Sequence, residues 1–235
     1  RIIPLKAEDY APVLVDEVGA SGERCAPLPC PWVLWFESSP PRGTDTATFS
    51  ESLKVVGTFR TLPALWNYLV KLADCFPYVL PNYSNLRLFR AGITPMWEDA
   101  ANKNGGRWLL QCEKQLTMYV FLAAVLPLVT ERLSFSDDLC GACLHVRSGV
   151  NTVQLWNHSA ADVLSNRSQW ARELGQVLAL RSKYGIKLKY HPHRQSVDYN
   201  REFDKGKPQD DASTAGFYQN LKQRRTKWGK SYDER

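Results

Sequence analysis

The apolar positions divide the chain into short strand-like runs and three longer helix-like ones. Strands are predicted at 32–36, 53–59, 86–89, 107–114, 144–147, 152–156 and 186–190, and helices at 61–74, 115–130 and 168–182. The strands follow one another without regular strand–helix–strand alternation. This order predicts an α+β fold, in which helices cover one face of a largely antiparallel sheet and leave the other face open to a ligand.

Two turn sequences predict which strands are neighbours. Ser148-Gly149 separates the fifth and sixth predicted strands, as in a hairpin. Asn104-Gly105-Gly106 lies between the strands at 86–89 and 107–114 and predicts a second hairpin or meander. The helix at 115–130 is apolar almost all round, which indicates either full burial or a second apolar side for a partner.

The composition is typical of a soluble globular protein with one folded core. Hydrophobic residues make up 44% of the 235 residues, and charged residues 23%. We predict a flexible, proline-containing lead-in at 1–31, a folded domain at 32–195, and a polar, basic tail at 196–235. The net charge of +6 suits an anionic partner without specifying one.

The sequence predicts neither membrane insertion nor secretion. The longest apolar run, 118–129, contains Pro127 and is far shorter than the roughly 20 residues that cross a bilayer. The N-terminal residues include several acidic ones, and no basic flank leads into an apolar stretch. The six cysteines are dilute and irregularly spaced, which indicates reduced thiols. The expected location is the cytoplasm.

The sequence gives only weak evidence for an enzyme site. Cys140 and Cys143 form a lone CxxC pair near His145, but a zinc site needs four ligands, so buried structural cysteines are favoured over a metal- or thiol-dependent enzyme. His191 and His193 lack an acidic or cysteine partner at the spacing of metal ligands. They are therefore interpreted as ordinary polar residues of a loop. The motifs of serine hydrolases, phosphate-binding loops and zinc proteases do not occur. The sequence therefore predicts no enzyme, no metal and no cofactor.

Trp97 and Glu98 stand out because they lie in a turn-rich loop, where a large ring is hard to explain as core. The chain also holds eight tryptophans, a high number. A tryptophan followed by a carboxylate suits recognition of guanine. The ring stacks on the base, and the carboxylate accepts hydrogen bonds from its imino and amino groups. Taken alone, this pairing is balanced against a loop that caps a helix.

Several motifs together resemble the eukaryotic translation initiation factor 4E family, the mRNA cap-binding proteins. They occur in family order and near-family spacing, from about Pro27 to His193. These motifs are residues 32–36, Phe59 followed by Trp66, residues 92–99 and 102–108, residues 136–142, Val146-Arg147, and Trp156. The resemblance implies a curved antiparallel sheet with about three helices on its convex side and a slot for the cap on its concave side.

The resemblance also implies the residues of the cap site. The family holds 7-methylguanine between two aromatic rings, and the positive charge of the base adds a cation–π term of about 1–2 kcal/mol. Trp97 matches one ring; the other, usually tryptophan, falls on Phe49, whose smaller face implies weaker stacking. Glu98 matches the acceptor for the guanine edge. Trp156 matches the residue that packs near the methyl group, and Arg147 matches the residue that contacts the phosphate bridge.

The phosphate site departs from the family pattern. The two positions that commonly hold lysine fall on Gly149 and Thr152. Phosphate binding is therefore expected to be poorer, or to be taken over by basic residues elsewhere, such as Arg194 or the tail. Arg107 is interpreted as structural support, because its neighbouring glycines mark a turn.

A second surface is implied on the helix side. Leu62 and Trp66 on the first helix, with Leu122 and Leu126 on the second, match the family's docking site for the helical motif of scaffold proteins and their competitors. Pro27 matches a proline in the N-terminal partner-contact segment. The resemblance therefore implies a protein partner as well as an RNA one.

The predicted function is binding of the 7-methylguanosine cap of mRNA and recruitment, for translation initiation, of a scaffold protein of the initiation factor 4G type, for which a binding protein can compete. The alternative is a weak cap-binding paralogue that acts as a translational repressor or regulator. Binding of cap without binding of a scaffold peptide would favour that alternative. Aromatic and basic residues at 217–230 suggest RNA contact beyond the cap, although a solvated tail is the favoured interpretation.

Overall fold

The computed structural model of the chain describes residues 13–14, 27–38, 52–74, 80, 82–178 and 186–193, all within the unit Arg1–Ser196. The strands are β1 (Val13–Leu14), β2 (Pro27–Ser38), β3 (Lys54–Thr61), β4 (Ser84–Arg90), β5 (Gly106–Gln111), β6 (Leu139–His145), β7 (Thr152–Asn157) and β8 (Lys187–Pro192). The α-helices are α1 (Leu62–Asp74), α2 (Thr117–Val129) and α3 (Ala160–Val177), and short 3₁₀ turns occur at Lys114–Leu116 and Ser136–Asp138. The tail at 196–235 lies outside the described residues.

Within the described residues, the strands form one open, curved sheet in the order β1-β3-β2-β4-β6-β7-β5-β8. Neighbouring strands are antiparallel, except that β1 runs parallel to β3. The predicted α+β fold is thus confirmed. The hairpin predicted across Asn104-Gly105-Gly106 is wrong, because two strands, β6 and β7, lie between β4 and β5. The hairpin predicted across Ser148-Gly149 is confirmed as β6 and β7.

The first long strand begins at Pro27 rather than at Trp32, where the predicted domain begins. Its register with β3 shifts between Pro27 and Trp32. This irregular stretch accommodates Pro29 and Pro31, which lack a backbone N–H for a regular ladder. The carbonyl of Pro31 instead accepts a hydrogen bond from the Ala91 N–H at 2.9 Å. The prolines therefore mark an irregular start of the strand and not the end of the folded region.

The third helix begins at Ala160, well before the predicted residue 168. The Ser159 hydroxyl caps it by accepting a hydrogen bond from the Asp162 N–H at 3.2 Å. Asn166 has non-helical backbone angles, and its side chain donates to the Asp162 carbonyl at 3.0 Å. Such side-chain competition for backbone groups bends helices and weakens their sequence pattern. Among the described helices, none combines the length and apolar character needed to cross a bilayer.

The main hydrophobic core lies between the sheet and the helices, which cover its convex face. Helix α2 packs against β2, β6 and β7, and α1 packs against β3 and α2. A smaller cluster lies on the opposite face. It contains Phe89, Cys140, Cys143 and Trp156, with Ile93 and Trp97 packed against it. Because adjacent residues of a strand point to opposite faces, Leu88 joins the main core whereas Phe89 joins the small cluster.

Candidate functional site

A row of residues crosses five strands on the face opposite the helices. The register pairs β4 with β6, β6 with β7, β7 with β5, and β5 with β8 along this row. We call it the slot row, and its members are Phe89, Gly141, Trp156, Arg107 and His191. A Cβ on Gly141 would meet the Phe89 ring at 2.5 Å. The absence of a side chain there lets the Phe89 ring contact Trp156 edge to face, with centroids 5.5 Å apart.

Trp97 lies against this row on the loop that joins β4 to β5. Its ring is half-buried and packs against the small cluster. The guanidinium carbon of Arg107 lies 5.8 Å from the centroid of the Trp97 ring, within cation–π distance. Glu98, the next residue, is exposed. The structure therefore brings Trp97, Trp156 and Arg107 together; Phe49, the predicted second stacking ring, lies outside the described residues.

Two polar side chains hold the backbone of the Trp97 loop. Asn102 is fully buried, and its Nδ2 donates to the carbonyls of Thr94 at 2.9 Å and Met96 at 2.8 Å. The carboxylate of Asp99 accepts from the Thr94 N–H at 2.8 Å. These hydrogen bonds satisfy backbone groups of the loop that are not paired in the sheet. The bonded groups belong to residues close to Trp97 in the sequence. Neither Asn102 nor Asp99 is predicted from the sequence as a site residue.

An uncharged histidine lies beside both tryptophans. His193 has no exposed surface, and its ring centroid lies 4.3 Å from that of Trp156 and 6.5 Å from that of Trp97. Burial, reinforced by the charge of Arg107, lowers the pKa of His193 to about 3. The imidazole is therefore neutral at physiological pH. The interpretation of this histidine as loop polarity is wrong, because the side chain is part of the aromatic cluster.

Trp156 lies in the slot row, whereas Arg147 lies away from it. Trp156 is only 2% exposed, and its Nε1 donates to Gln154 Oε1 at 3.1 Å, so its ring forms part of the floor of the site. Arg147 follows the end of β6, at the opposite end of that strand from the slot row. Its Nη1 donates to the carbonyls of Val146 at 2.7 Å and Ser84 at 3.2 Å. Arg147 is thus held away from the stacking rings.

Arg107 is a cation without a carboxylate partner in the described part of the chain. Its neighbour Arg87, by contrast, forms a buried ion pair with Glu37, with Nη2 and Oε2 2.6 Å apart. Burial, together with the charge of Arg87, lowers the pKa of the Arg107 guanidinium, which still stays charged at neutral pH. A partly buried, unpaired cation beside an aromatic slot favours an anionic ligand. Its interpretation as turn support does not account for this position.

The thiols considered for catalysis are buried. Burial raises the pKa of Cys143 to about 11 and also raises that of Cys140. A raised pKa keeps a thiol protonated, whereas nucleophiles and metal ligands need the thiolate. Burial lowers the pKa of His145 well below its ordinary value. Across the described ranges, no three His, Cys, Asp or Glu side chains are grouped as a metal site requires.

The predicted partner-binding residues lie on the helix side. Trp66 on α1 is 36% exposed and Leu126 on α2 is 40% exposed, and the two helices pack against each other. Leu62 and Leu122 are half-buried and pack against the main core. Pro27 is exposed and pairs in register with the last residue of β3, directly before α1. The two exposed apolar side chains therefore stand on adjacent helices, with Pro27 next to the start of α1.

An aromatic cluster, a guanidinium without a carboxylate partner among the described residues, and a loop-borne Trp–Glu pair on a curved sheet are suited to a planar base to which anionic groups are attached. The chain belongs to the eukaryotic initiation factor 4E family, whose model matches residues 27–208. The resemblance predicted from the motifs is confirmed.

Named relatives are similar over most of the chain. The chain is 30% identical over 213 residues to eukaryotic translation initiation factor NCBP of Triticum aestivum, covering 84% of this chain and 88% of that protein. It is 32% identical over 170 residues to eukaryotic translation initiation factor 4E type 1B of Mus musculus, covering 69% and 64%.

Solved structures of proteins named eIF4E are also similar to most of this chain. The complex of C. elegans eIF4E-3 with the 4E-binding protein Mextli and a cap analog matches with a TM-score of 0.60 and 31% identity, over 73% of this chain and 95% of that one. Ascaris suum eIF4E-3 with an m2,2,7G cap matches with a TM-score of 0.58 and 29% identity, over 72% and 92%.

Proposed function

We propose that this chain binds the 7-methylguanosine cap of mRNA on its slot face and recruits, on its helix face, a scaffold protein of the initiation factor 4G type or a competing binding protein. The observation that carries the proposal is Trp97 on an anchored loop, with the exposed carboxylate of Glu98 beside it. Family membership and the complexes of the two nematode relatives support it. The activity is binding without a catalytic step, and the expected location is the cytoplasm.

Base recognition follows from the chemistry of these groups. Methylation makes guanine cationic, so stacking on Trp97 gains about 1–2 kcal/mol over a neutral base when water is excluded. Glu98 accepts hydrogen bonds from the imino and amino groups of the base, and charge assistance strengthens them. Trp156 packs near the methyl group, and Phe49 is the proposed second ring. His193 stays neutral, so it does not repel the cationic base as an imidazolium would.

Phosphate recognition begins at Arg107. Its guanidinium lies over the Trp97 ring, so an anionic group attached to a base stacked there would come close to it. Binding would give this partly buried cation the counter-charge that it lacks among the described residues. Arg147, farther along the sheet, is proposed as a second phosphate contact.

The proposal is tested by titrating the protein with 7-methyl-GTP and with GTP while following tryptophan fluorescence. The wild type is expected to bind 7-methyl-GTP more tightly, since only the methylated base is cationic. Glu98→Gln is expected to weaken binding of 7-methyl-GTP by about 10- to 100-fold, because a charged acceptor is lost. Glu113→Gln is the control, because Glu113 is also exposed but lies at the far end of β5. Equal affinity of the wild type for the two nucleotides would overturn the proposal.

A further inference from the structure

Tyr83 is an exposed aromatic residue whose backbone is held in an unfavourable conformation. It directly precedes β4 and is 55% exposed. Its φ angle of 67° lies in the left-handed region, which residues other than glycine rarely adopt. Such a conformation persists only where the surrounding contacts fix it, and it is enriched at sites that bind ligands. Tyr83 is therefore a candidate contact for a ligand.

Two hydrogen bonds fix Tyr83 against the turn between β6 and β7. The Tyr83 N–H donates to the Val146 carbonyl at 2.9 Å. The hydroxyl oxygens of Tyr83 and Ser148 lie 3.0 Å apart and share a hydrogen bond, in which either can be the donor. The backbone and the far end of the side chain are both bonded to this turn. The ring therefore keeps a defined position while it stays exposed to solvent.

Tyr83 lies beside Arg147, at one end of the slot face. The pairing of β6 with β4 continues to Val146, whose N–H donates to the Ser84 carbonyl at 2.9 Å. Val146 packs in the main core, so strand alternation directs its neighbour Arg147 to the slot face. The Arg147 Nη1 donates at 2.7 Å to the same Val146 carbonyl that accepts from the Tyr83 N–H. The guanidinium of Arg147 and the backbone of Tyr83 are therefore direct neighbours.

His145 links this end of the face to the slot row. It lies on the same strand and the same face as Gly141, a member of that row. Burial lowers the pKa of the His145 imidazole, which is lowered further by three nearby guanidinium groups, those of Arg87, Arg147 and Arg107. Arg107 belongs to the slot row, whereas Arg147 lies beside Tyr83. The slot and the position of Tyr83 are therefore parts of one continuous face.

The distance along this face indicates what kind of ligand can contact both positions. A strand advances by about 3.4 Å per residue, so Arg147 lies about 20 Å along the chain from Gly141. A base stacked on Trp97 is too small to cover this distance. A nucleotide chain that continues from that base would approach Arg147 with its phosphates and Tyr83 with its next base.

We propose that the Tyr83 ring stacks on the base of the first nucleotide after the phosphate bridge of a capped RNA. This inference rests on the proposed function and extends it from the cap to the RNA attached to the cap. Every base has a π face, so stacking on an aromatic ring does not depend on which base follows. Tyr83 thereby adds affinity for capped RNA without selecting a sequence.

The test compares 7-methyl-GpppA with an abasic analogue, which keeps the phosphate bridge and the second ribose but lacks the adenine. The two ligands carry the same charge, so the ratio of their affinities measures the contribution of the base. The wild type is expected to bind 7-methyl-GpppA about fivefold more tightly than the analogue, and Tyr83→Gly is expected to lose this preference. Glycine removes the ring and adopts the positive φ angle without strain. The affinity of this variant for 7-methyl-GTP, which has no second base, is expected to stay within about twofold of the wild type.

Two further variants serve as controls. Tyr83→Phe keeps the ring and removes only the hydroxyl, and it is expected to retain most of the preference for 7-methyl-GpppA. Tyr119→Ala removes a tyrosine that is 59% exposed on α2, on the other side of the sheet. This variant is expected to show the wild-type preference.

The inference is overturned if the wild type binds the two ligands equally well, if Tyr83→Gly keeps the preference, or if Tyr119→Ala loses it. Equal losses in Tyr83→Phe and Tyr83→Gly would also overturn it, because stacking needs the ring and not the hydroxyl. A matching loss of affinity for 7-methyl-GTP in Tyr83→Gly would overturn it too, since Tyr83 would then act on the slot itself. A wild type that binds 7-methyl-GTP no better than GTP overturns the proposed function instead.

Discussion

At the scale of single residues, the slot face depends on side chains whose charge the fold determines. His193 is buried and His145 is half-buried, and both stay neutral, because an imidazolium in a poorly solvated site is unfavourable. Arg107 cannot respond in this way, because a guanidinium stays protonated at any pH a protein tolerates. The face therefore combines neutral rings with a persistent cation at Arg107. This combination suits a cationic base that carries anionic phosphates.

The buried histidines predict that the free energy of unfolding decreases as pH falls below about 6.5. Unfolded histidine titrates near 6.5, whereas the pKa of folded His193 is about 3. Between these values the unfolded state binds more protons, so stability is lost as pH falls through this window. For His193 alone, the loss between pH 6.5 and pH 5 is roughly 2 kcal/mol. Urea unfolding at a series of pH values measures it.

The variant His193→Phe isolates this contribution, because it keeps an aromatic ring and removes the titration. Its stability is expected to depend less on pH than that of the wild type. Burial raises the pKa of Asp138, which gives the opposite sign and partly offsets the histidines at low pH. An unchanged pH dependence in the variant would show that His193 is not the cause.

At the scale of elements, the loop between β4 and β5 decides the geometry of recognition. It has no regular ladder, yet its backbone groups are bonded through Asn102 and Asp99. Gly105 follows directly; a Cβ there would collide with the carbonyl of Asn157. This close approach lets the loop pack against the end of β7. Trp97 is thereby presented by a loop with a defined backbone.

The variant Asn102→Asp tests the anchoring of this loop. Aspartate has the same shape but loses the two N–H donors, so the carbonyls of Thr94 and Met96 keep only the backbone N–H groups of Met96 and Asp99 as donors. We expect a loss of about 1–3 kcal/mol in unfolding free energy. We also expect weaker binding of 7-methyl-GTP, because Trp97 is no longer held in place. Lys103→Ala changes the exposed neighbouring residue and is expected to alter neither the unfolding free energy nor the affinity for 7-methyl-GTP by much. An Asn102→Asp variant with wild-type stability and wild-type affinity would contradict the proposed anchoring.

At the scale of the whole molecule, the sheet separates the two faces on which we propose binding sites. The slot row and Trp97 lie on one face, and the exposed side chains of Trp66 and Leu126 lie on the helices that cover the other. Burial of such apolar side chains in a helical partner contributes roughly 25 cal/mol per Å² removed from water. The separation implies that each face can be disabled without the other.

The double change Trp66→Ala with Leu126→Ala tests this independence. Binding of an amphipathic helical peptide from a 4G-type scaffold is expected to fall by more than about tenfold, because each removed side chain offers an apolar anchor. Affinity for 7-methyl-GTP is expected to stay within about twofold of the wild type. Leu164→Ala on α3 is the control, since Leu164 is 57% exposed on another helix. Calorimetric titration with both ligands measures the two affinities, and a parallel loss of both would contradict independent faces.

Features of the fold were predicted correctly from the sequence where they depend on residues close together in the chain. The β6–β7 hairpin was predicted correctly, because its turn lies between two short alternating runs. The pairing assigned to β4 and β5 was wrong, because the same kind of turn can begin a long crossover over two other strands. The start of α3 was missed because polar residues around the Asn166 kink obscure its periodicity. Local patterns predict elements, whereas strand neighbours depend on which apolar faces are buried together.

By itself, the sequence determined the strand and helix content of most of the chain, the family, and the pairing of Trp97 with Glu98, because all of these are read from neighbouring residues and motif order. Only the tertiary structure decided that Arg107 and His193 lie against Trp97. These residues are far apart in the chain, and cross-strand register brings them together. Their charge states were likewise decided by burial, which depends on every element packed around them.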